Sequence, residues 1–143
     1  MKYKSSRGFS LIELLIVIVV LSLLTVIATV SYQDSVRKAR RGDAKAVLLE
    51  LAQLMERNYT ETNRFDKDAA DADYTLPFDK SPKDGTAYYN ITTPTLTPQT
   101  FTLQAAPIAP QTKDTLCMRL TLDNTGTQGM SGGSGTAAEC WAR

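Results

Sequence analysis

The most regular feature of the chain is an apolar run from Phe9 to Val30 that contains one charged residue, Glu13. About 20 apolar residues are enough to cross a bilayer as a helix. A cleaved secretory signal has a shorter apolar core followed by a small-residue cleavage site, and no such site closes this run. We therefore expect residues 9–33 to form a transmembrane helix.

The helical pattern continues past this run and becomes amphipathic. Apolar residues recur at helical spacing from Val47 to Met55, with charged residues largely between them, which is typical of a helix that buries one face. We expect residues 34–60 to continue the first helix, giving one helix from Phe9 to about Tyr59. Gly42 is the point at which it can bend, and Asp43 is suited to cap a second helix if it breaks there.

Strand-like patterns appear only in the second half of the chain. Residues 87–92 are rich in aromatic and β-branched side chains, residues 100–105 alternate, and Leu116 to Leu122 alternate again. Residues 61–85 have turn residues and no periodicity, and the glycine-rich stretch 124–135 is expected to be flexible unless it is tied down. Residues 61–143 thus predict a globular α+β domain, in which a small antiparallel sheet covers the apolar stripe of the long helix.

The composition argues against an enzyme. The chain has no histidine, which removes the commonest general base and the commonest metal ligand. No phosphate-binding loop or metal-ligand spacing is present, so we predict no catalytic residues, no metal and no cofactor. Residues 66–73 contain four aspartates, but they lack the central glycine and terminal glutamate of a calcium loop. A solvated acidic loop is the preferred interpretation.

Cys117 and Cys140 are the only cysteines. A sparse, even pair in an exported chain is typical of one disulfide in an oxidising compartment. This bond would pin the glycine-rich tail against the sheet and would require the C-terminal part to lie outside the cytoplasm.

The charge distribution bears on nucleic-acid binding. The formal charge is +1, but three of the cations precede the Gly8–Phe9 junction. From Asp43 to Arg143 there are nine Lys/Arg against thirteen Asp/Glu, a net of −4. DNA binding is therefore disfavoured unless a few cations converge on one face, the candidates being Lys80, Lys83, Lys113 and Arg119.

The segments 8–15 (Gly-Phe-Ser-Leu-Ile-Glu-Leu-Leu), 31–34 (Ser-Tyr-Gln-Asp) and 40–46 (Arg-Arg-Gly-Asp-Ala-Lys-Ala) together resemble the type IV pilins, and more narrowly the minor pilins of the PilE type, which are related to ComP-like DNA-uptake pilins. The resemblance implies that residues 1–8 are a leader, that prepilin peptidase cuts between Gly8 and Phe9, and that Phe9 becomes N-methylated. It also implies that Glu13 sets the axial register by neutralising the terminal ammonium group of a neighbouring subunit.

The same resemblance implies a structural subunit that helps to initiate pilus assembly and supports twitching motility, adhesion or natural transformation. Its partners would be other major and minor pilins, prepilin peptidase, the inner-membrane assembly platform and, before assembly, membrane lipid. The chain would cross the inner membrane once with its N-terminus in the cytoplasm, and would then become part of the extracellular pilus. A DNA-uptake receptor pilin and a type II secretion pseudopilin are the alternatives.

The chain departs from the family pattern inside the apolar run. At positions where pilins often carry a glycine and a proline, it has Ser22 and Val30. Valine keeps the backbone N–H that proline lacks. We therefore predict a straighter and less extensible first helix.

Overall fold

The computed structural model describes residues 9–142, and for residues 26–28 and 30 it describes the backbone alone. The chain divides into two compact units, of which the second, here called the head unit, begins at Arg37. The elements within the described residues are helices α1 (Leu11–Thr62) and α2 (Ala137–Trp141), strands β1 (Lys80–Ser81), β2 (Tyr89–Leu96), β3 (Phe101–Pro107), β4 (Arg119–Asp123) and β5 (Gln128–Ser131), and a 3₁₀ turn, Gln111–Lys113.

The long helix is confirmed. It continues through Gly42, so Asp43 does not cap a second helix. A glycine in a helix interior lowers the stability of the helix by about 0.5–1 kcal/mol relative to alanine. The helix nevertheless remains continuous on both sides of Gly42. The helix ends at Thr62, where Asn63 adopts a φ of 57° and its N–H donates to Tyr59 O at 2.7 Å. Asparagine is one of the few residue types that enter this left-handed region readily.

The α+β prediction is also confirmed. The strands form one antiparallel sheet in the order β1-β2-β3-β4-β5. In β3, Phe101, Leu103 and Ala105 are buried and the residues between them face outward, as period-two alternation requires. The buried face of the sheet lies against the apolar stripe of α1.

The core of the head unit is formed by this contact. Leu48, Leu51 and Met55 of α1 and Tyr89 and Leu103 of the sheet are 0% exposed. Fully burying a side chain of this size contributes about 1.5–3 kcal/mol. Packing against the sheet therefore stabilises this part of α1.

Four elements were not predicted, namely strands β1 and β5, helix α2 and the 3₁₀ turn. Strand β1 is only two residues long, and β5 arises inside the stretch that was expected to be flexible. A Cβ atom added at Gly129 in β5 would lie 2.4 Å from Thr121 Oγ1 on β4, so glycine lets these two strands approach. Helix α2 begins at a capping box, in which Thr136 and Glu139 satisfy each other's backbone N–H groups.

Two predicted strand boundaries were wrong. The alternation assigned to Leu116 does not form a strand there, since β4 begins at Arg119 and Leu116 is 44% exposed. Strand β2 runs through Pro94 to Leu96, beyond the predicted residues 87–92, and its register with β3 shifts between Thr92 and Thr95. Proline has no backbone N–H to donate to a neighbouring strand. Strand β1 pairs with β2 only at Tyr89 and Asn90, so it needs no hydrogen bond from Pro94.

Candidate functional site

The first candidate surface is the apolar N-terminal part of α1. Its large apolar side chains between Phe9 and Leu24 are each 47–82% exposed. Contiguous apolar surface of this extent marks an interaction site in proteins. The side chain of Ser22, one of the polar residues in this segment, donates to Val19 O at 2.7 Å, so its hydroxyl is already satisfied within the helix.

Glu13 lies in the first turn of this helix. A negative charge is favourable there because the first turn carries the positive end of the helix dipole. The backbone N–H groups of Glu13 and Leu14 both donate to Ser10 O, at 3.1 and 3.2 Å. Phe9 lies two residues before the first residue of the helix, Leu11, and is 82% exposed. Gly8, with the rest of the predicted leader, lies outside the described residues.

Among the helices of residues 9–142, none meets the length and apolarity expected of a membrane span.

The predicted disulfide is present. Cys117 and Cys140 are bonded, with Cα atoms 5.6 Å apart, and both residues are buried. The bond joins the segment before β4 to helix α2. It thereby fixes the glycine-rich tail, as the sequence predicted.

A buried polar cluster lies beside the disulfide, and sequence reasoning missed it. Arg41 Nε is 3.2 Å from Asp114 Oδ2 in a pair whose side chains are 7% and 5% exposed, and the Arg41 guanidinium also donates to Cys117 Sγ. Gln111 Nε2 lies within hydrogen-bond distance of Asp114 Oδ2, Tyr89 Oη and Arg37 O, at 3.1–3.3 Å. Burial raises the pKa of Tyr89 to about 12. The cluster ties α1, β2 and the 3₁₀ turn together.

Sequence patterns gave no signal for this cluster. The Arg37–Arg41 basic run resembles an exposed collar, yet Arg41 is buried and the Arg40 guanidinium stacks 3.7 Å from the centre of the Tyr88 ring. Which residues of a basic run are exposed and which are buried can be decided only when the packing face of the helix is known.

The aspartates of the acidic segment 66–73 are partly paired within the chain. Arg64 binds both carboxylate oxygens of Asp66, at 2.7 and 2.9 Å, and Lys67 Nζ is 2.7 Å from Asp73 Oδ1. Asp68 accepts from two backbone N–H groups of its own loop. Within residues 9–142, no group of His, Cys, Asp and Glu side chains is placed to hold a metal ion.

Charge in the head unit is unevenly distributed along the sheet. At the end where β2 begins and β3 ends, here called the basic end, nine Lys/Arg lie with six Asp/Glu. At the opposite end, which carries the loop 66–73, three Lys/Arg lie with seven Asp/Glu. The described head unit therefore carries about +3 at one end and −4 at the other, a separation that its net charge conceals.

The four candidate DNA-binding cations converge on the basic end but not on one face. Lys80 and Arg119 lie on the solvent face of the sheet. They belong to one cross-strand row of residues, which consists of Lys80, Asn90, Ala106, Arg119 and Ser131. Three strand spacings separate them, or about 14 Å. Lys83 faces α1 instead, where its Nζ is 2.8 Å from both Glu50 carboxylate oxygens, and Lys113 lies on the turn between β3 and β4.

The chain has a long helix whose start is apolar and exposed. Further along, this helix packs on an antiparallel sheet, and a disulfide closes the C-terminal part. These features together define a type IV pilin. Two solved structures share the fold. One is the non-core minor pilin PilV of Neisseria meningitidis, at 29% identity and a TM-score of 0.52 over 72% of this chain and 94% of that one. The other is a type IV pilin from Shewanella oneidensis, at 26% identity and a TM-score of 0.51 over 75% of this chain and 99% of that one.

Family models identify the chain more narrowly. Residues 3–29 match the prokaryotic N-terminal methylation motif, and residues 30–121 match the family described as type IV minor pilin ComP, DNA uptake sequence receptor. The second match covers more than half of the chain, and the chain belongs to that family of minor type IV pilins. No curated protein sequence matches it. The fold and the family are structural rather than enzymatic.

Proposed function

We propose that the chain joins a type IV pilus through residues 9–33, after prepilin peptidase has cut between Gly8 and Phe9 and Phe9 has been N-methylated. The observation that carries this proposal is the exposed apolar surface from Phe9 to Leu24, in which each large side chain is 47–82% exposed. A bilayer covers such a surface before assembly, and neighbouring helices cover it afterwards.

Glu13 has a specific role in this proposal. A carboxylate in an apolar helix bundle is costly unless it is paired. The ammonium group of a neighbouring subunit's processed N-terminus supplies the partner only when the two helices are in the correct axial register. Slippage leaves both charges unpaired, so the pair selects the register.

The test compares Glu13→Leu with Glu13→Asp in cells that make pili. We expect both variants to be cleaved, and the Leu variant to fall about tenfold or more in sheared pili, because about 1.4 kcal/mol of lost pairing already corresponds to a factor of ten. The Asp variant keeps the charge and should retain more. Undiminished incorporation of Glu13→Leu would show that Glu13 does not set the register.

Within this assembly role, we propose that the chain lies first in the inner membrane, crossing it once with its N-terminus in the cytoplasm, and later in the extracellular pilus. Its partners are then other pilins, prepilin peptidase and the assembly platform. We do not propose the secretion alternative, because the matched family consists of pilus subunits.

We further propose that the head unit binds DNA during uptake, in preference to serving twitching motility or adhesion. The family match favours this role. The negative net charge of the head unit does not argue against it, because DNA interacts with the local charge of a surface and the head unit has a basic end. The proposed contact surface is the solvent face at the basic end, where Lys80 and Arg119 share one cross-strand row with Asn90, Ala106 and Ser131.

Gel shifts with the full chain in detergent test DNA binding. We expect affinity to fall steeply with salt, and the Lys80→Ala, Arg119→Ala double variant to reduce the salt slope by about two, since each lost phosphate contact lowers it by about one. Lys67→Ala, at the opposite end, is the matched control and should leave the slope unchanged. Absence of binding at low salt would contradict the DNA role and leave the assembly role intact.

A further inference from the structure

The two sulfur atoms of the disulfide lie in opposite chemical surroundings. Cys117 Sγ accepts a hydrogen bond from the guanidinium of Arg41, whereas Cys140 Sγ lies 3.8 Å from Leu116 O. A donor next to sulfur stabilises the thiolate, and a carbonyl oxygen, which can only accept, stabilises the protonated thiol. When the bond opens, the negative charge is therefore more stable on Cys117 than on Cys140.

The guanidinium of Arg41 is held in place beside Cys117. Its Nε atom is 3.2 Å from Asp114 Oδ2, and the side chains of this pair are 7% and 5% exposed. Gln111 Nε2 lies 3.3 Å from the same carboxylate oxygen. The carboxylate takes the Nε side of the guanidinium and leaves Nη1 to the sulfur. It weakens the field of the cation at Cys117 without removing the direct hydrogen bond.

Several other titratable side chains surround the bond, from each of the elements packed around it. They are Lys38 and Lys45 of α1, Tyr89 of β2, Asp114 after the 3₁₀ turn and Glu139 of α2. Lys45 Nζ donates to Ala142 O at 2.7 Å, and Glu139 is engaged by Thr136 in the capping box of α2. Arg41, unlike Lys45 and Glu139, contacts a sulfur atom directly.

A pocket of about 320 Å³ gives access to one side of the bond. The described residues that line it include Cys140, Leu116 and Trp141 but not Cys117, and Cys117 is 0% exposed. Sites for small molecules have volumes of about 300–1,000 Å³. A small thiol can therefore approach the bond from the side of Cys140, which is also the side from which Cys117 becomes the leaving group.

We propose that the disulfide is a thiol-exchange site, at which a small external thiolate attacks Cys140 Sγ and Cys117 leaves as a thiolate beside Arg41. The bond between Cys117 and Cys140 breaks as a bond between Cys140 and the external sulfur forms, so one disulfide replaces another. The leaving sulfur is the one with the stabilised thiolate, as fast exchange requires.

A second external thiolate completes the reduction. It attacks the external sulfur of the mixed disulfide, and Cys140 leaves as a thiolate that takes a proton from water. Two external thiolates are thereby oxidised to their disulfide, and the two electrons reduce the disulfide of the chain. The oxidised form of the same small thiol reverses both steps.

Exchange changes how the C-terminal segment is held. The disulfide is the covalent tie between α2 and the segment before β4, whereas Trp141 Nε1 holds α2 to β5 by one hydrogen bond to Gly129 O, at 2.8 Å. The mixed disulfide keeps this hydrogen bond and loses the covalent tie. The inference goes beyond the proposed assembly and DNA roles and does not depend on them, because it concerns a reaction of the head unit itself.

The relative acidity of the two thiols tests the role of their surroundings. Cys140→Ala leaves the Cys117 thiol and Cys117→Ala leaves the Cys140 thiol, and the pH dependence of alkylation by iodoacetamide gives the pKa of each. We expect the thiol of Cys117 to be the more acidic by about one pKa unit or more, which is a factor of about ten in thiolate at a pH below both values. Equal values, or a more acidic Cys140, would overturn the assignment.

The contribution of Arg41 is isolated in the Cys140→Ala background. Adding Arg41→Met with Asp114→Leu removes the guanidinium together with its carboxylate and should raise the pKa of the Cys117 thiol by about one unit or more. Lys113→Met, which removes an exposed cation beside Asp114 in the chain, is the matched control and should leave it unchanged. A Cys117 pKa that does not respond to the loss of Arg41, in a variant with native Trp141 fluorescence, would overturn the role of the guanidinium.

Reduced glutathione is the probe for the exchange itself. The oxidised full chain in detergent is incubated briefly with excess glutathione near neutral pH and quenched with acid, and its peptides are analysed by mass spectrometry. We expect glutathione on Cys140 and a free thiol at Cys117. Adducts mainly on Cys117, equal adducts on both residues, or no reaction unless the chain is first unfolded in urea would overturn the proposal.

Discussion

The two apolar stretches of α1 differ in what covers them. Leu48, Leu51 and Met55 are 0% exposed because the sheet of the same chain packs on them, whereas Leu15 and Leu24 are 47% and 57% exposed. Both stretches are apolar enough to require a partner, but only the stretch from Leu48 to Met55 finds one inside the chain. The comparison teaches that the head unit specifies its own fold, and that the start of α1 requires other molecules to cover it.

The largest loss of stability in the head unit is expected from a substitution at Asp114. Asp114→Ala leaves the Arg41 guanidinium buried without its carboxylate, and breaking a buried pair in this way costs about 3–5 kcal/mol. Urea unfolding of the full chain in detergent, followed by Trp141 fluorescence, measures the loss. The Arg41→Met, Asp114→Leu double variant removes both charges and should recover most of the stability. A single variant as stable as the wild type would show that the cluster does not hold the head unit together.

The most direct contrast between the two stretches is a pair of matched truncations. Leu51→Ala should lower the unfolding free energy of the head unit by about 2–5 kcal/mol, because it opens a cavity in the core. Leu15→Ala removes the same atoms from an exposed position and should leave this unfolding unchanged. Equal losses in the two variants would mean that the first stretch is also covered by the chain itself.

The disulfide should give an effect of about 3 kcal/mol, the chain-entropy value for a loop of this size. Cys117→Ser with Cys140→Ser should release α2 and β5, because residues 117 and 140 enclose the glycine-rich tail. Hydrogen exchange should accelerate from Gln128 to Trp141 and remain slow in β3. Uniform acceleration across the whole sheet would contradict this local role.

The smallest effect concerns pH. Hydrogen bonds from Thr136 lower the pKa of Glu139 below its ordinary value of 4.5. Its contribution to stability is therefore complete above that value and is lost as the pH falls through the lower, folded-state pKa. Glu139→Gln should be less stable than the wild type at neutral pH, and the difference should vanish once the pH lies below the folded-state pKa. Glu56→Gln, on exposed α1, is the control. A difference that persists at low pH would exclude the capping carboxylate as its cause.

The sequence predicted the parts of the fold that rest on local patterns. The helix, the three principal strands and the disulfide followed from periodicity and from the cysteine pair. Strand β5 could not be predicted, because its four residues carry no apolar alternation and its pairing depends on the approach of Thr121 to Gly129. The Arg41–Asp114 pair was also missed, since its two residues are far apart in the chain and only folding brings them together.

The same distinction applies to the functional surfaces. The methylation motif could be recognised from residues 8–15 alone, because its chemistry is local. The charge separation of the head unit depends on sheet order, which places Lys80 and Arg119 in one row although they belong to strands β1 and β4. The net charge counted along the chain therefore did not reveal the basic end on which the proposed DNA binding rests.

Mass spectrometry of sheared, washed pili tests the central claim most directly. If the chain joins the filament through its first helix, its N-terminal peptide will be found in the pili and will begin at N-methylated Phe9, with residues 1–8 removed. Recovery of the chain only in the membrane fraction, or with its leader intact in the pili, would contradict that claim.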